Sequence, residues 1–316
     1  MKKKFQEAFD LHKKGMVQEA KKIYGEILEE TPTDFNCLHH LGLIAKNNKD
    51  YLSAFEFISK AIKSNPNSAE AYFNLGNVLK SLNKTDDAIK SYDRAIIIKA
   101  DYELYMLRGN TLHGVKRFNE ALASYDEAIK LKPNSFEAHS DKGLALVELK
   151  DIKAAIMSYD KAIQINSKFI VAKYNKGLAL RLLGMNKESI KIFKEIIKIE
   201  PDHHQSLYEM SLIYRGLKEF DLALACCKKI LKNNRNHSRA ILLSIKLRKV
   251  ICDWANHEKD ESYALKKINQ GEDSIGPFSS LVFFNEPALQ KKTAEDFASR
   301  YFPPNNLFKQ ISKYKK

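Results

Sequence analysis

The sequence predicts an all-α protein, a right-handed superhelical solenoid of about seven helix-turn-helix units followed by a short C-terminal helical extension. Three observations carry that prediction. Small residues recur at Gly42, Gly76, Gly109, Gly143 and Gly177, spaced 34, 33, 34 and 34 residues apart, and Ser211 continues the series after another 34. Each is followed twelve positions later by a second small residue (Ala54, Ala88, Ala121, Ala155, Ser189, Ala223), and four beyond that by Ile58, Tyr92, Tyr125, Tyr159, Phe193 or Cys227. Prolines close several units, at Pro32, Pro66, Pro133 and Pro201. A fixed period of this length marks stacked repeats, in which each unit buries its apolar face only against its neighbours.

The register places units at starts near residues 1, 35, 69, 102, 136, 170 and 204, with Ala20, Tyr24 and Pro32 making residues 1–34 a first copy. The unit starting at 69 is one residue short in its closing turn. Within a unit, apolar positions 4, 7, 8 and 11 fall on one stripe of a first helix, and positions 20, 24 and 27 on one stripe of a second. The two helices therefore pack as a hairpin, with the small residues at 8 and 20 letting the backbones approach. Proline at 32 cannot continue a helix and turns the chain into the next unit. Residues 1–237 are read as repeats. Ser238–Val250, with Ile241, Leu242, Ile245 and Leu247, reads as one more first helix closing the stack, and residues 251–316 as a linker into a further region.

These positions resemble the tetratricopeptide pattern W-x2-L-G-x2-Y, A-x3-F, P. The best unit reads Tyr72, Leu75, Gly76, Leu79, Ala88, Tyr92, Ala95, with Ala100 in place of the closing proline. The resemblance implies a groove lined by first-helix positions near 2, 6, 9, 12 and 13. Here the candidate partner-binding residues are Asn36, His40, Asn74, Asn77, Lys80, Asn110, His113, Asp141, Asn175, Arg181 and Arg215. Asparagine suits such a surface because its amide both donates and accepts, so it can pair with the backbone of an extended peptide of any sequence. The lysines that chaperone-binding repeats use at position 5 to hold a terminal carboxylate are replaced by Phe73 and Met106. The implied partners are proteins or extended peptides.

Composition limits the alternatives. The net charge is +14, yet the groove positions are polar and mixed in sign rather than basic with interleaved aromatics, so nucleic acid is not the expected partner. Lys90, Lys130, Lys187, Lys191, Lys194 and Lys198 fall on second helices, where a solvated outer face accounts for them. No window approaches eighteen consecutive apolar residues and no export signal opens the chain, so a cytoplasmic location without a membrane partner is expected. Cys37, Cys226, Cys227 and Cys252 are too few and scattered for a disulfide framework. His39-His40 and His203-His204 are adjacent rather than spaced i, i+4, so no metal site is expected. No residue set suggests catalysis.

The tail adds a second resemblance. Cys252-Asp253-Trp254, a helical stretch to about Asn269, the run Pro277-Phe278-Ser279-Ser280-Leu281, and Glu286-Pro287-Ala288-Leu289-Gln290 opening a helix resemble, in that order, the junction of bacterial SPINDLY-like protein O-GlcNAc transferases. In that family two Rossmann-like lobes follow and bind the UDP-sugar. This sequence ends at Lys316, about where the first lobe would begin, and no histidine stands near Pro277-Phe278, where eukaryotic relatives have a catalytic one. The resemblance implies the substrate- or partner-recognising region of such an enzyme. No cofactor is expected, because UDP-GlcNAc would bind only the absent lobes, and a separately encoded catalytic glycosyltransferase half would be a partner. The alternative is a free-standing adaptor assembling an unrelated protein complex. Phe283, Phe284 and Phe302 are expected to be exposed unless a partner covers them.

Overall fold

A computed structural model describes residues 2–255, 258–260, 262–263, 266 and 287–301. They form sixteen helices among the described residues: α1 Lys2–Lys13, α2 Val17–Glu30, α3 Phe35–Asn47, α4 Tyr51–Ser64, α5 Ala69–Ser81, α6 Thr85–Ile98, α7 Tyr102–Gly114, α8 Phe118–Leu131, α9 Phe136–Glu148, α10 Ile152–Ile165, α11 Ile170–Leu182, α12 Asn186–Ile199, α13 His204–Gly216, α14 Phe220–Asn233, α15 Ser238–Val250 and α16 Pro287–Tyr301. No strand occurs among them. The chain divides into two compact units, Met1–Ala179 and Leu180–Lys316, with the division inside α11. Asn269, Pro277–Leu281, Phe283, Phe284 and Phe302 lie outside the described residues.

Six of the first helices have their starts fixed by the side chain at the position before them. Asp34, Ser68, Asp101 and Ser135 accept a backbone N–H one turn in, at 2.8, 3.1, 2.8 and 3.1 Å, satisfying a donor the helix cannot. His203 and His237 do the same through Nδ1 for α13 and α15, both at 3.2 Å. The His203-His204 pair thus has a structural role, with His203 as a cap.

The turn inside each hairpin is a left-handed residue at position 15. Gly15 and Gly184 have φ of 81° and 73°, while Lys49, Asn83, Lys116, Lys150 and Lys218 lie between 60° and 67°. Each closes its first helix with a bond from the following residue to the carbonyl five back, such as Asp50 N–H to Ala45 O at 2.9 Å, the Schellman arrangement. Cys252, with φ 57°, takes the same place after α15, and Asp253 N–H reaches Arg248 O at 2.9 Å. Asp253 corresponds in register to Asp50 and Asp151, which cap α4 and α10. Cys252-Asp253 is therefore an eighth copy of the hairpin turn. Arg248 then grips Asp260 with Nη2–Oδ1 at 2.6 Å and Nε–Oδ2 at 3.2 Å.

In Met1–Ala179 the hairpins α1/α2, α3/α4, α5/α6, α7/α8 and α9/α10 pack in sequence, each second helix touching the next first helix. The core is the repeated small-against-aromatic contact. Tyr24, Tyr92, Tyr125 and Tyr159 are fully buried, and the rings of the last three lie on Gly76, Gly109 and Gly143. A Cβ at Gly109 or Gly143 would stand 2.6 or 2.5 Å from the ring, so glycine there is a packing requirement. Successive hairpins are also joined by Asp93–Arg108, Asp126–Lys142 and Asp160–Lys176 at 2.5, 2.7 and 2.5 Å. These pairs are half-exposed and contribute about 0.2–1 kcal/mol each. In Leu180–Lys316, α12 packs on α13, α13 on α14 and α14 on α15, around Leu207, Ile230 and Ala240.

Candidate peptide-binding face

Successive first helices of Met1–Ala179 touch, α3 with α5 and α7 with α9, so their shared face carries the predicted stripe. Asn36, Lys80 and Asn110 are exposed there, while His40, Asn77, His113, Asp141 and Asn175 are half-buried and Asn74 is buried. Arg181 and Arg215 belong to the other compact unit, half-buried and exposed respectively.

The asparagines divide into two kinds. Asn74 is consumed internally. Its amide NH2 donates to His39 Nε2 at 3.2 Å and Glu70 O at 3.1 Å, and its Oδ1 accepts from Lys46 Nζ at 2.9 Å. It braces α3 against α5 rather than presenting an amide. Asn77 and Asn110 are held differently: Tyr92 Oη donates to Asn77 Oδ1 at 2.9 Å, and Tyr125 Oη to Asn110 Oδ1 at 2.7 Å. With the carbonyl oxygen taken from the core side, each amide is oriented with its NH2 as the remaining donor. Burial pushes Tyr92 up to about 12, so its hydroxyl keeps its proton.

Where the unit lacks asparagine at position 9, the tyrosine loses its acceptor. Phe9 and Leu144 stand there in the first and fifth units, and Tyr24 Oη and Tyr159 Oη are buried without a hydrogen-bond partner. Tyr24 lies in a nest of rings. It stacks on His40 at 5.7 Å and 7°, with Phe5, Phe9 and His12 each within 5.2–5.8 Å of His40. Burial, then His39 and His12, hold the His40 imidazole down at about 4, so it is neutral at physiological pH.

Asp141 has a different environment. Burial, and Glu137 one turn earlier, push its carboxyl up to about 6. Its charge is felt by both Tyr125 and Tyr159. His113 packs edge-on against Phe118 at 5.2 Å, and its Nε2 is buried without a hydrogen-bond partner. In the second compact unit, Arg181 Nε stands 3.2 Å from Glu209 Oε2. Both atoms are also without an aligned hydrogen bond, so the contact is an ion pair rather than a directed bond. Sequence reasoning on the first-helix stripe includes Glu209 but misses Lys46. The signal for Lys46 is the spacing of 28 residues shared by Lys46/Asn74 and Arg181/Glu209, position 12 of one unit and position 6 of the next.

The other constellations carry packing. Cys37, Cys226 and Cys227 are buried and Cys252 exposed, all as free thiols; burial pushes Cys37 up to about 12 and Cys226 and Cys227 to about 11. No group of three or more His, Cys, Asp or Glu able to hold a metal occurs among the described residues. No described helix is long and apolar enough to cross a membrane.

Comparison with known proteins agrees with this geometry. Tetratricopeptide-repeat family models match residues 35–68 and 69–102, a TPR-repeat model matches 109–150, and the N-terminal TPR-repeat region of Psidin matches 144–244. The mouse protein O-mannosyl-transferase TMTC1 is 32% identical over 91 residues, 28% of this chain and 10% of that protein. The bovine BBSome complex member BBS4 is 35% identical over 65 residues, 21% of this chain and 12% of its own. The chain thus spans about a tenth of the length of these relatives. Among solved structures, MamA is 25% identical with a TM-score of 0.51 over 53% of this chain and 92% of its own. YrrB, described as a TPR protein with an unusual peptide-binding site, is 24% identical with a TM-score of 0.50 over 61% and 97%. A TPR protein from Cytophaga hutchinsonii reaches 0.66 at 16% identity over 75% and 98%. Residues 35–102 and 109–244 of this chain are thus tetratricopeptide repeats, the helical-hairpin units of a protein-interaction scaffold.

Proposed function

We propose that the chain binds extended peptide segments of other proteins along the face shared by α3, α5, α7 and α9. The observation that supports this is the tethering of Asn77 and Asn110 by Tyr92 and Tyr125. A pre-oriented amide loses little freedom when it donates to a peptide carbonyl, and preorganisation lowers the cost of binding. Asn36, His40, Lys80, His113 and Asn175 extend this face and Asn74 supports it from within; Arg181 and Arg215 lie in the second compact unit and are proposed as partner-binding residues of that unit by itself. The reading requires no cofactor and no catalytic residue, and a cytoplasmic location is part of the proposal. The test is fluorescence anisotropy with a panel of labelled 12-residue peptides. Asn77→Asp with Asn110→Asp keeps the acceptor for each tyrosine and removes the donors, so it should weaken binding about tenfold with little loss of stability. Unchanged affinity in this double variant would remove the asparagines from the site.

A second reading takes the chain as the recognition half of a glycosyltransferase whose catalytic lobes are encoded separately. It is supported by the order of motifs from Cys252 onward and by the match to an O-mannosyl-transferase over 91 residues. Against it, Cys252-Asp253 is accounted for by the hairpin turn alone. A stoichiometric complex with a UDP-sugar transferase would support it; failure of the purified pair to associate would leave the free-standing adaptor.

A further inference from the structure

Along the first helices, position 12 of one unit and position 6 of the next lie in register for a polar contact. Lys46 reaches Asn74 at 2.9 Å and Arg181 reaches Glu209 at 3.2 Å, each across 28 residues. The same spacing relates His113 on α7 to Asp141 on α9, but here the contact is not made. His113 Nε2 is buried without a hydrogen-bond partner. Asp141 is a half-buried carboxylate that pairs with no lysine or arginine among the described residues, whereas Asp93, Asp126 and Asp160 in the same compact unit each hold one.

A third group converges on this step from α10. Tyr159 is fully buried, and its ring lies on Gly143 as the rings of Tyr92 and Tyr125 lie on Gly76 and Gly109. Those two hydroxyls end on the shared face, at Asn77 and Asn110. The Tyr159 hydroxyl is aimed at the equivalent place, where Leu144 offers no acceptor, and it has no partner. Asp141 stands three residues before Leu144 on α9, so its carboxyl lies within one helical turn of that place on the same face. Glu137, one turn before Asp141 and held by the Ser135 hydroxyl at 3.0 Å, adds a second carboxylate.

We propose that this step, formed by Asp141, Glu137, His113 and the Tyr159 hydroxyl with Leu144 beside them, seats the cationic side chain of a lysine or arginine in the bound peptide. The proposal rests on the α3–α9 face being the peptide-binding face. An arginine or lysine supplies only donors, and the seat supplies acceptors: the two carboxylates and the lone pairs of Tyr159 Oη. The aliphatic stem of the same side chain suits Leu144, since long basic residues bury their methylenes while keeping the head in a polar setting. A peptide carboxylate is excluded by the same charges. Two acidic groups without a cation of their own repel an anion, in contrast to repeats that clamp a terminal carboxylate with lysines.

The test uses the full chain and an array of 12-residue peptides. Each peptide that binds is remade as a pair with arginine or its neutral isostere citrulline at one central position. Arginine copies should bind about tenfold or more tightly than citrulline copies, since a hydrogen bond to a charged group is stronger than its neutral counterpart by roughly that factor. In Asp141→Asn the difference should collapse, while citrulline copies keep their affinity. Leu144→Asn, which gives Tyr159 an acceptor, should also narrow it. Equal affinity of the two copies, or a difference that survives in Asp141→Asn, would overturn the seat and leave the peptide face standing. An array on which no peptide binds would overturn the peptide face itself. Thermal melting of each variant separates loss of the seat from loss of fold.

Discussion

Replacing Gly109 by alanine sets two effects of known sign against each other. Alanine is the better helix former by about 0.8–1.0 kcal/mol, so at an open helical site the change stabilises. At Gly109 the new Cβ would stand 2.6 Å from Tyr125 Cε1 and 2.9 Å from Cδ1. The ring cannot swing aside cheaply, because Tyr125 is 1% exposed and its hydroxyl is bonded to Asn110 at 2.7 Å. Overpacking of this kind costs about 1–3 kcal/mol, and a hydroxyl torn from its acceptor and left buried costs about 1–3 kcal/mol more. The net expectation is a destabilisation of about 1–5 kcal/mol, a fall of roughly 1.5–8 °C in Tm at about 2.1 cal/mol/K of unfolding entropy per residue over 316 residues. Gly25 is the control. It lies inside α2 with nothing within 4 Å of its added Cβ, so Gly25→Ala should stabilise by about 0.8–1.0 kcal/mol. Calorimetric melting of both variants decides the matter, with Tyr125→Leu added to Gly109→Ala to form a double-mutant cycle. Gly109→Ala melting at or above the parent, or a cycle with no coupling between the two sites, would refute the packing argument.

Three further outcomes follow from the same structure. Lys116→Gly, Lys150→Gly and Lys218→Gly remove side chains from left-handed turns with φ of 63°, 67° and 62°, and each should stabilise by about 0.5–1 kcal/mol in urea unfolding. Asn110→Leu should cost about 1–3 kcal/mol by orphaning the buried Tyr125 hydroxyl, and Leu144→Asn should stabilise by about 0.5–1.5 kcal/mol by giving Tyr159 an acceptor; equal melting of the two variants would contradict both. His40 and Asp141 act oppositely as the pH falls. His40 is held at about 4 when folded and takes a proton near 6.5 when unfolded, so it withdraws stability between pH 6.5 and 4, a loss that His40→Phe should abolish. Asp141, held up at about 6, takes its proton first in the folded state and adds stability over nearly the same window. Asp141→Asn should therefore raise Tm at pH 7.5 and leave it unchanged at pH 4.

The hairpins were legible because their cause is local. Gly76, Ala88 and Tyr92 lie on faces set by the helical period, and their sizes alone require two helices to meet with the ring over the glycine. The same logic located Ser238–Val250, and it extends to Cys252, whose left-handed turn shows the repeat pattern continuing beyond the glycine series. That continuation was hidden because cysteine at position 15 carries no sequence signal for a positive φ, whereas Gly15 and Gly184 do. Helix capping by His203 and His237 was hidden for a related reason: histidine rarely caps, and its role here comes from sharing a register with Asp34 and Ser68.

Sequence by itself determined the repeat, its period, the hairpin and the set of side chains on the first helices, because each depends on contacts within one unit or on helical geometry. It did not determine which of those side chains are open to a partner. Asn74 and Asn77 are three residues apart and chemically identical, yet one is spent on His39 and Lys46 of the preceding hairpin and the other is turned outward by Tyr92. Whether His113 meets Asp141 likewise depends on how one hairpin seats on the next. Those distances are set by the summed packing of neighbouring units, and only the tertiary structure fixes them.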